Sequence, residues 1–151
     1  MRIPLFDPTP RIERRREALS AAFARLLDQG NFILGPPVAV FEEELATFLG
    51  GGDVVGVASG SDALELALRA LHVGPGQAVL TTPFTFVATA EAIHHAGALP
   101  VFLDIRREDL LLDLDAVEEH LDALPRSSQG RPLLPSGHEV VALLPVHLFG
   151  A

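Results

Sequence analysis

The residues best suited to chemistry lie in Ala58-Ser59-Gly60-Ser61-Asp62-Ala63, between a short apolar run and a helical pattern that starts near Asp62. A helix N-terminus offers unsatisfied N–H groups and partial positive charge. Glycine lets a ligand come close to the backbone, and serine hydroxyls add donors, so such a turn could hold a phosphate. An ordinary strand-to-helix turn with Ser61 or Asp62 as N-cap fits the same residues. No Gly-Lys-Ser/Thr follows and the pattern is not GxGxxG, which disfavours nucleoside triphosphates and dinucleotides.

A second segment, Thr82-Pro83-Phe84-Thr85-Phe86-Val87-Ala88-Thr89-Ala90, again leads from a strand end into a helix. Pro83 forces a break, and two phenylalanines flank Thr85 beside the crevice expected at the carboxyl ends of strands in an open α/β sheet. A ring there could stack on a planar heterocycle; on pattern alone, the default is that both rings are core. Histidines carry less. His94 and His95 are sequence neighbours on a helix and do not converge on a metal as an i, i+4 pair would. His72, His120 and His138 lack a partner cluster, whereas His147 sits at a strand terminus on the ligand side. Asp104, Asp113 and Asp115 could imitate a metal cluster, but capping accounts for Asp113 or Asp115, and no metal site is expected.

The elements that must position these residues read as apolar runs at 54–58, 78–81, 99–103 and 140–144, alternating with helical patterns at 64–71, 85–95 and 115–124. Continuously apolar strands imply burial on both faces of a parallel sheet, so the expected architecture is α/β, three-layered and mostly parallel. Two helices precede it. One has Thr9 as N-cap and Pro10 as first helical residue, with Ile12, Leu19, Phe23, Leu26 and Leu27 at helical spacing until Gly30; the other carries Phe41, Leu45 and Phe48 and stops at Gly50. This divides the chain into a helical segment, 1–52, and an α/β part, 53–151. The Pro-, Ser- and Gly-rich stretch 125–137 is the one candidate for a mobile loop. The chain stops at the carboxyl end of a strand, which reads as a truncated domain; a complete small domain ending in a strand is the alternative.

With 151 residues and 48% hydrophobic content, the chain can bury a core. A net charge of −9 gives no electrostatic footprint for nucleic acid or anionic membranes. No apolar run reaches membrane-spanning length and Met1-Arg2-Ile3-Pro4 does not resemble a secretory signal, so a cytoplasmic location is expected. There is no cysteine, hence no disulfide or thiolate metal site. All 11 basic residues are arginine, so any mechanism that needs a lysine amine is closed to these residues.

Taken in order, Asn31-Phe32-Ile33-Leu34-Gly35-Pro36, Phe41-Glu42, Ser59-Gly60-Ser61-Asp62-Ala63-Leu64, Thr85-Phe86-Val87-Ala88-Thr89, Gly97-Ala98-Leu99-Pro100-Val101-Phe102-Leu103-Asp104 and Pro145-Val146-His147-Leu148-Phe149-Gly150 resemble successive blocks of the DegT/DnrJ/EryC1/StrS aminotransferases. The resemblance covers nearly the whole chain; each block is weak, and the ordered set is specific. It implies the large domain of the fold-type I pyridoxal-phosphate (PLP) transferases, PLP as cofactor, a keto sugar linked to a nucleotide as substrate, glutamate or glutamine as amino donor, and a homodimer at full length. It also implies that Gly60, Ser61 and Asp62 hold the PLP phosphate and that Phe86 stacks on the pyridine ring. Asn31, Ile33, Leu34 and Gly35 would lie near the substrate mouth, and His147 at the active-site edge.

Departures limit what can be carried over. The family usually has threonine where Ser61 stands, and serine keeps the hydroxyl. The stretch 125–137 looks longer than the family's connection. PLP chemistry needs a Schiff-base lysine and a carboxylate at the pyridine nitrogen; in the family both follow the His-Leu-aromatic-Gly block, and these residues contain neither. Beside an N-terminal portion of a sugar aminotransferase stand two alternatives: a non-catalytic fragment that dimerises or binds phosphate ligands, and part of a PLP-dependent sugar dehydratase in which histidine replaces the lysine.

Overall fold

The computed structural model describes residues 6–150. They form two compact units, one up to Gly56 and one from Val57 onward.

The first unit carries α1 (Thr9–Gln29) and α2 (Pro36–Phe48). Thr9 is not the N-cap of α1. Pro8 holds that position, and the Asp7 carboxylate accepts the Thr9 N–H at 3.0 Å, so the side chain serving the helix start lies upstream of the residue expected to cap it. Gly30 closes α1 with φ 68, a left-handed value that glycine adopts without a Cβ clash. Pro36 and Pro37 open α2, where a missing N–H removes no helical bond. No described residue of this unit is buried; Ile12, Leu19, Phe23, Leu27, Phe41 and Phe48 are all exposed.

The expected strand at 54–58 is not formed. An extended segment becomes a strand only through a neighbour's backbone groups, and among the described residues it has none. The Gly56 N–H instead donates to the Glu42 carboxylate on α2, at 2.6 Å. That bond ties the segment to the helices, and the boundary between units falls at Gly56/Val57 instead of 52/53.

The second unit is built on a parallel sheet of order β2-β1-β3, with β1 at Gln77–Thr81, β2 at Leu99–Phe102 and β3 at Glu139–Leu143. The central β1 is buried on both faces, as its unbroken apolar run predicts. Val79 packs with Leu68, Ala92, Ile93 and Ala96, beneath α3 (Gly60–Ala70) and α4 (Ala88–His95). Ala78 and Leu80 point the other way, toward Val117 of α5 (Leu114–Ala123) and Leu134. The unit is therefore three-layered. Pro100, which cannot donate to a ladder, lies on edge strand β2.

The stretch 125–137 is a folded excursion rather than the expected mobile loop. Bridges Arg126–Pro132 and Leu133–Glu139 return it to the sheet, and Leu134, 8% exposed, anchors it in the core. Among the described residues, no helix is long and apolar enough to cross a membrane.

Candidate functional site

Sheet topology decides where the candidate residues meet. From β1 the chain passes through α4 to β2 on one side, then through α5 to β3 on the other side of β1. Such a reversal opens a crevice at the carboxyl ends of the strands. The Leu68 carbonyl accepts from Val73 and the Gly74 carbonyl from Gln77, so the chain turns from α3 directly into β1. An 11-residue helix and a five-residue strand are both roughly 16 Å long. The N-terminus of α3 accordingly returns to the level of the β1 carboxyl end, where α4 also begins.

Ser59 is the N-cap of α3, not Ser61 or Asp62. Its backbone is extended, its Oγ accepts the Asp62 N–H at 3.1 Å, and its carbonyl accepts the Ala63 N–H at 3.0 Å. Those bonds leave the N–H groups of Gly60 and Ser61 without an acceptor among the described residues. Asp62 lies in the first turn, where its charge complements the helix dipole. Gly60 does not have positive φ, and a Cβ built on it meets no atom within 4 Å. Neither backbone nor packing thus requires glycine there, and both Gly60 and Ser61 are exposed. A cleft of about 300 Å³ lined by Val57, Ala58, Asp62, Glu65 and Leu66 runs beside this turn.

Phe86 lies on the turn before α4 instead of within the helix, which starts at Ala88. Its side chain is 74% exposed while Ile93, on the same segment, is fully buried, and Phe84 is exposed too. The default reading of both rings as core is therefore overturned. The turn is heavily hydrogen-bonded. Thr82 Oγ1 accepts the Phe84 N–H at 3.1 Å, the Phe86 carbonyl accepts the Thr89 N–H at 3.1 Å, and the hydroxyls of Thr85 and Thr89 are 2.8 Å apart. Sequence reading did not single out these threonines; their i, i+4 spacing around Phe86 was the available signal.

His147 is exposed beyond the end of β3, and its carbonyl accepts the Gly150 N–H in the turn Leu148–Gly150. His95 is occupied elsewhere, its Nδ1 3.4 Å from Glu65 on α3, while Arg69 binds both Glu65 and the His95 carbonyl. The aspartates serve the backbone: Asp113 accepts from Asp115 and Ala116 as cap of α5, and Asp104 accepts the Ile105 N–H. The Leu111 N–H and then Arg106 hold the Asp109 carboxyl below its ordinary range. Asn31, Ile33, Leu34 and Gly35 belong to the first unit, on the α1–α2 loop. Leu34 has φ 49 with an 82% exposed side chain, a strained backbone without burial to offset it. A Cβ on Gly35 would lie 2.8 Å from the Asn31 carbonyl oxygen, so this glycine, unlike Gly60, is required by local packing.

Known proteins are similar to this chain in structure and in sequence. A Brucella abortus DegT DnrJ EryC1 StrS aminotransferase superposes with a TM-score of 0.84 at 34% identity, over 99% of this chain and 38% of its own. The Bacillus subtilis ntda structure, with bound cofactor PMP, gives 0.75 at 30% identity over 91% of this chain and 28% of its own. In sequence, a UDP-N-acetyl-3-dehydro-alpha-D-glucosamine 3-aminotransferase of Acidithiobacillus ferrooxidans is 37% identical over 98% of this chain and 36% of its own length. The chain thus spans about a third of the curated relatives it matches. Residues 13–151 match the family model as well, and the chain belongs to the DegT/DnrJ/EryC1/StrS aminotransferase family.

Proposed function

We propose that this chain supplies the cofactor-binding part of a PLP-dependent aminotransferase that acts on nucleotide-linked keto sugars in amino-sugar biosynthesis. One observation carries the reading: a helix N-terminus in a family member whose N–H groups at Gly60 and Ser61, both on exposed residues, have no acceptor among the described residues. A phosphate suits this donor set, since it accepts N–H bonds and favours the positive end of the helix dipole. Gly60 and Ser61 would hold the phosphate, with the Ser61 hydroxyl as a third donor. Asp62 would fix the first turn, and the exposed Phe86 ring would pack on the pyridine. Bound there, PLP supplies an electron sink for amino transfer.

These residues bind and orient; with no lysine they leave covalent attachment to another part of the enzyme. The strained Leu34 supports a substrate-side role for Asn31, Ile33, Leu34 and Gly35, and His147 would border the site. Glutamate or glutamine would be the amino donor, and a homodimer the working form. Calorimetric titration with inorganic phosphate tests the cradle. Saturable binding weakened about tenfold by Ser61→Ala, the loss of one charge-assisted bond, supports it; equal binding by both proteins sinks it.

A further inference from the structure

Between the carboxyl end of β1 and the start of α4, the chain makes a turn that is fixed by side-chain hydroxyls. Thr89, the second residue of α4, is buried at 6% exposure, so its hydroxyl cannot rely on water for a partner. It meets Thr85 Oγ1, one hydroxyl donating and the other accepting. The Thr89 N–H holds the Phe86 carbonyl, so Thr89 grips the turn on both sides of Phe86. Thr82, buried beneath, accepts the Phe84 N–H and fixes the entry. What emerges from this clamp is an apolar ring left mostly in solvent. An exposed ring gains no packing of its own from such restraint, whereas a platform for a planar ligand does, because ordering it beforehand removes an entropic cost of binding.

We propose that Thr85 and Thr89 are positioning residues: their hydroxyl–hydroxyl bond holds Phe86 as a preorganised platform for the cofactor's aromatic ring, an inference that rests on the cofactor reading above. Neither need touch the cofactor. Three measurements on the 151-residue chain test it: dissociation constants for PLP and for inorganic phosphate, and hydrogen exchange at the Thr89 amide. The double variant Thr85→Val/Thr89→Val keeps both side-chain shapes and leaves no single hydroxyl stranded, and Thr85→Ser keeps the bond. The double variant should bind PLP about fivefold more weakly, the scale of one lost aromatic stacking contact. Its phosphate affinity should be unchanged and its Thr89 amide should exchange faster, while Thr85→Ser matches the parent. Phe86→Ala separates the two ideas. If it weakens PLP binding and the double variant does not, the clamp is refuted and the cofactor reading stands. If Phe86→Ala leaves PLP binding unchanged, the platform reading falls and this inference falls with it. Equal loss of PLP and phosphate affinity in the double variant would show a merely structural role and also overturn it.

Discussion

Gly60 separates folding from binding at the scale of one residue. A Cβ there meets nothing in the chain and the backbone tolerates it, so Gly60→Ala should stabilise the fold by about 0.5–1 kcal/mol through reduced unfolded-state entropy. In the proposed cradle the same methyl would crowd a phosphate held at Gly60 and should weaken its binding. Urea denaturation and phosphate titration of one variant read both effects; a loss of stability, or binding equal to the parent's, contradicts the cradle. The glycine-serine turn was visible in the sequence, but its cap was not. Ser59, Ser61 and Asp62 are all good capping residues, and only the extended backbone of Ser59 settles which one caps the helix. The Thr85–Thr89 bond was hidden for a related reason: two hydroxyls four residues apart meet only once the helix start and both rotamers are fixed.

Among the elements, three apolar runs became strands and one did not. The run at 54–58 has the composition of the others, but strand formation depends on a partner that composition does not reveal, and the Gly56 N–H went to Glu42. The helix expected at 85–95 starts only at Ala88, after a turn in which Thr82 Oγ1 accepts the Phe84 N–H. Composition also misjudged 125–137, where Pro, Ser and Gly outnumber the apolar residues that matter; Leu134 alone places the excursion in the core. Leu134→Ala should therefore cost about 2–3 kcal/mol, as a core truncation does, against near zero for a solvated loop. Ser59→Ala should cost about 1 kcal/mol through the lost cap. Equilibrium urea unfolding checks both.

At the scale of the whole molecule, the absence of lysine sets the chemical limit of these residues. Borohydride reduction after incubation with PLP, followed by peptide mass mapping, should show no pyridoxyl label on any side chain, and the purified chain should transfer no amino group. Label within 57–150, or measurable transfer, would refute this. Apolar side chains exposed along α1 and α2, together with β2 and β3 each paired along one edge, favour association. Sedimentation should be concentration-dependent; a sharp monomer boundary with a cooperative melt would contradict that. The central claim, that the α3 N-terminus holds the cofactor's phosphate without a covalent bond, is tested most directly by the phosphorus-31 resonance of PLP titrated with the folded chain. The resonance should broaden or shift saturably and be restored by inorganic phosphate but not by pyridoxal, which lacks the phosphate. A resonance that the folded chain leaves unchanged, or one that pyridoxal restores equally well, would contradict the account.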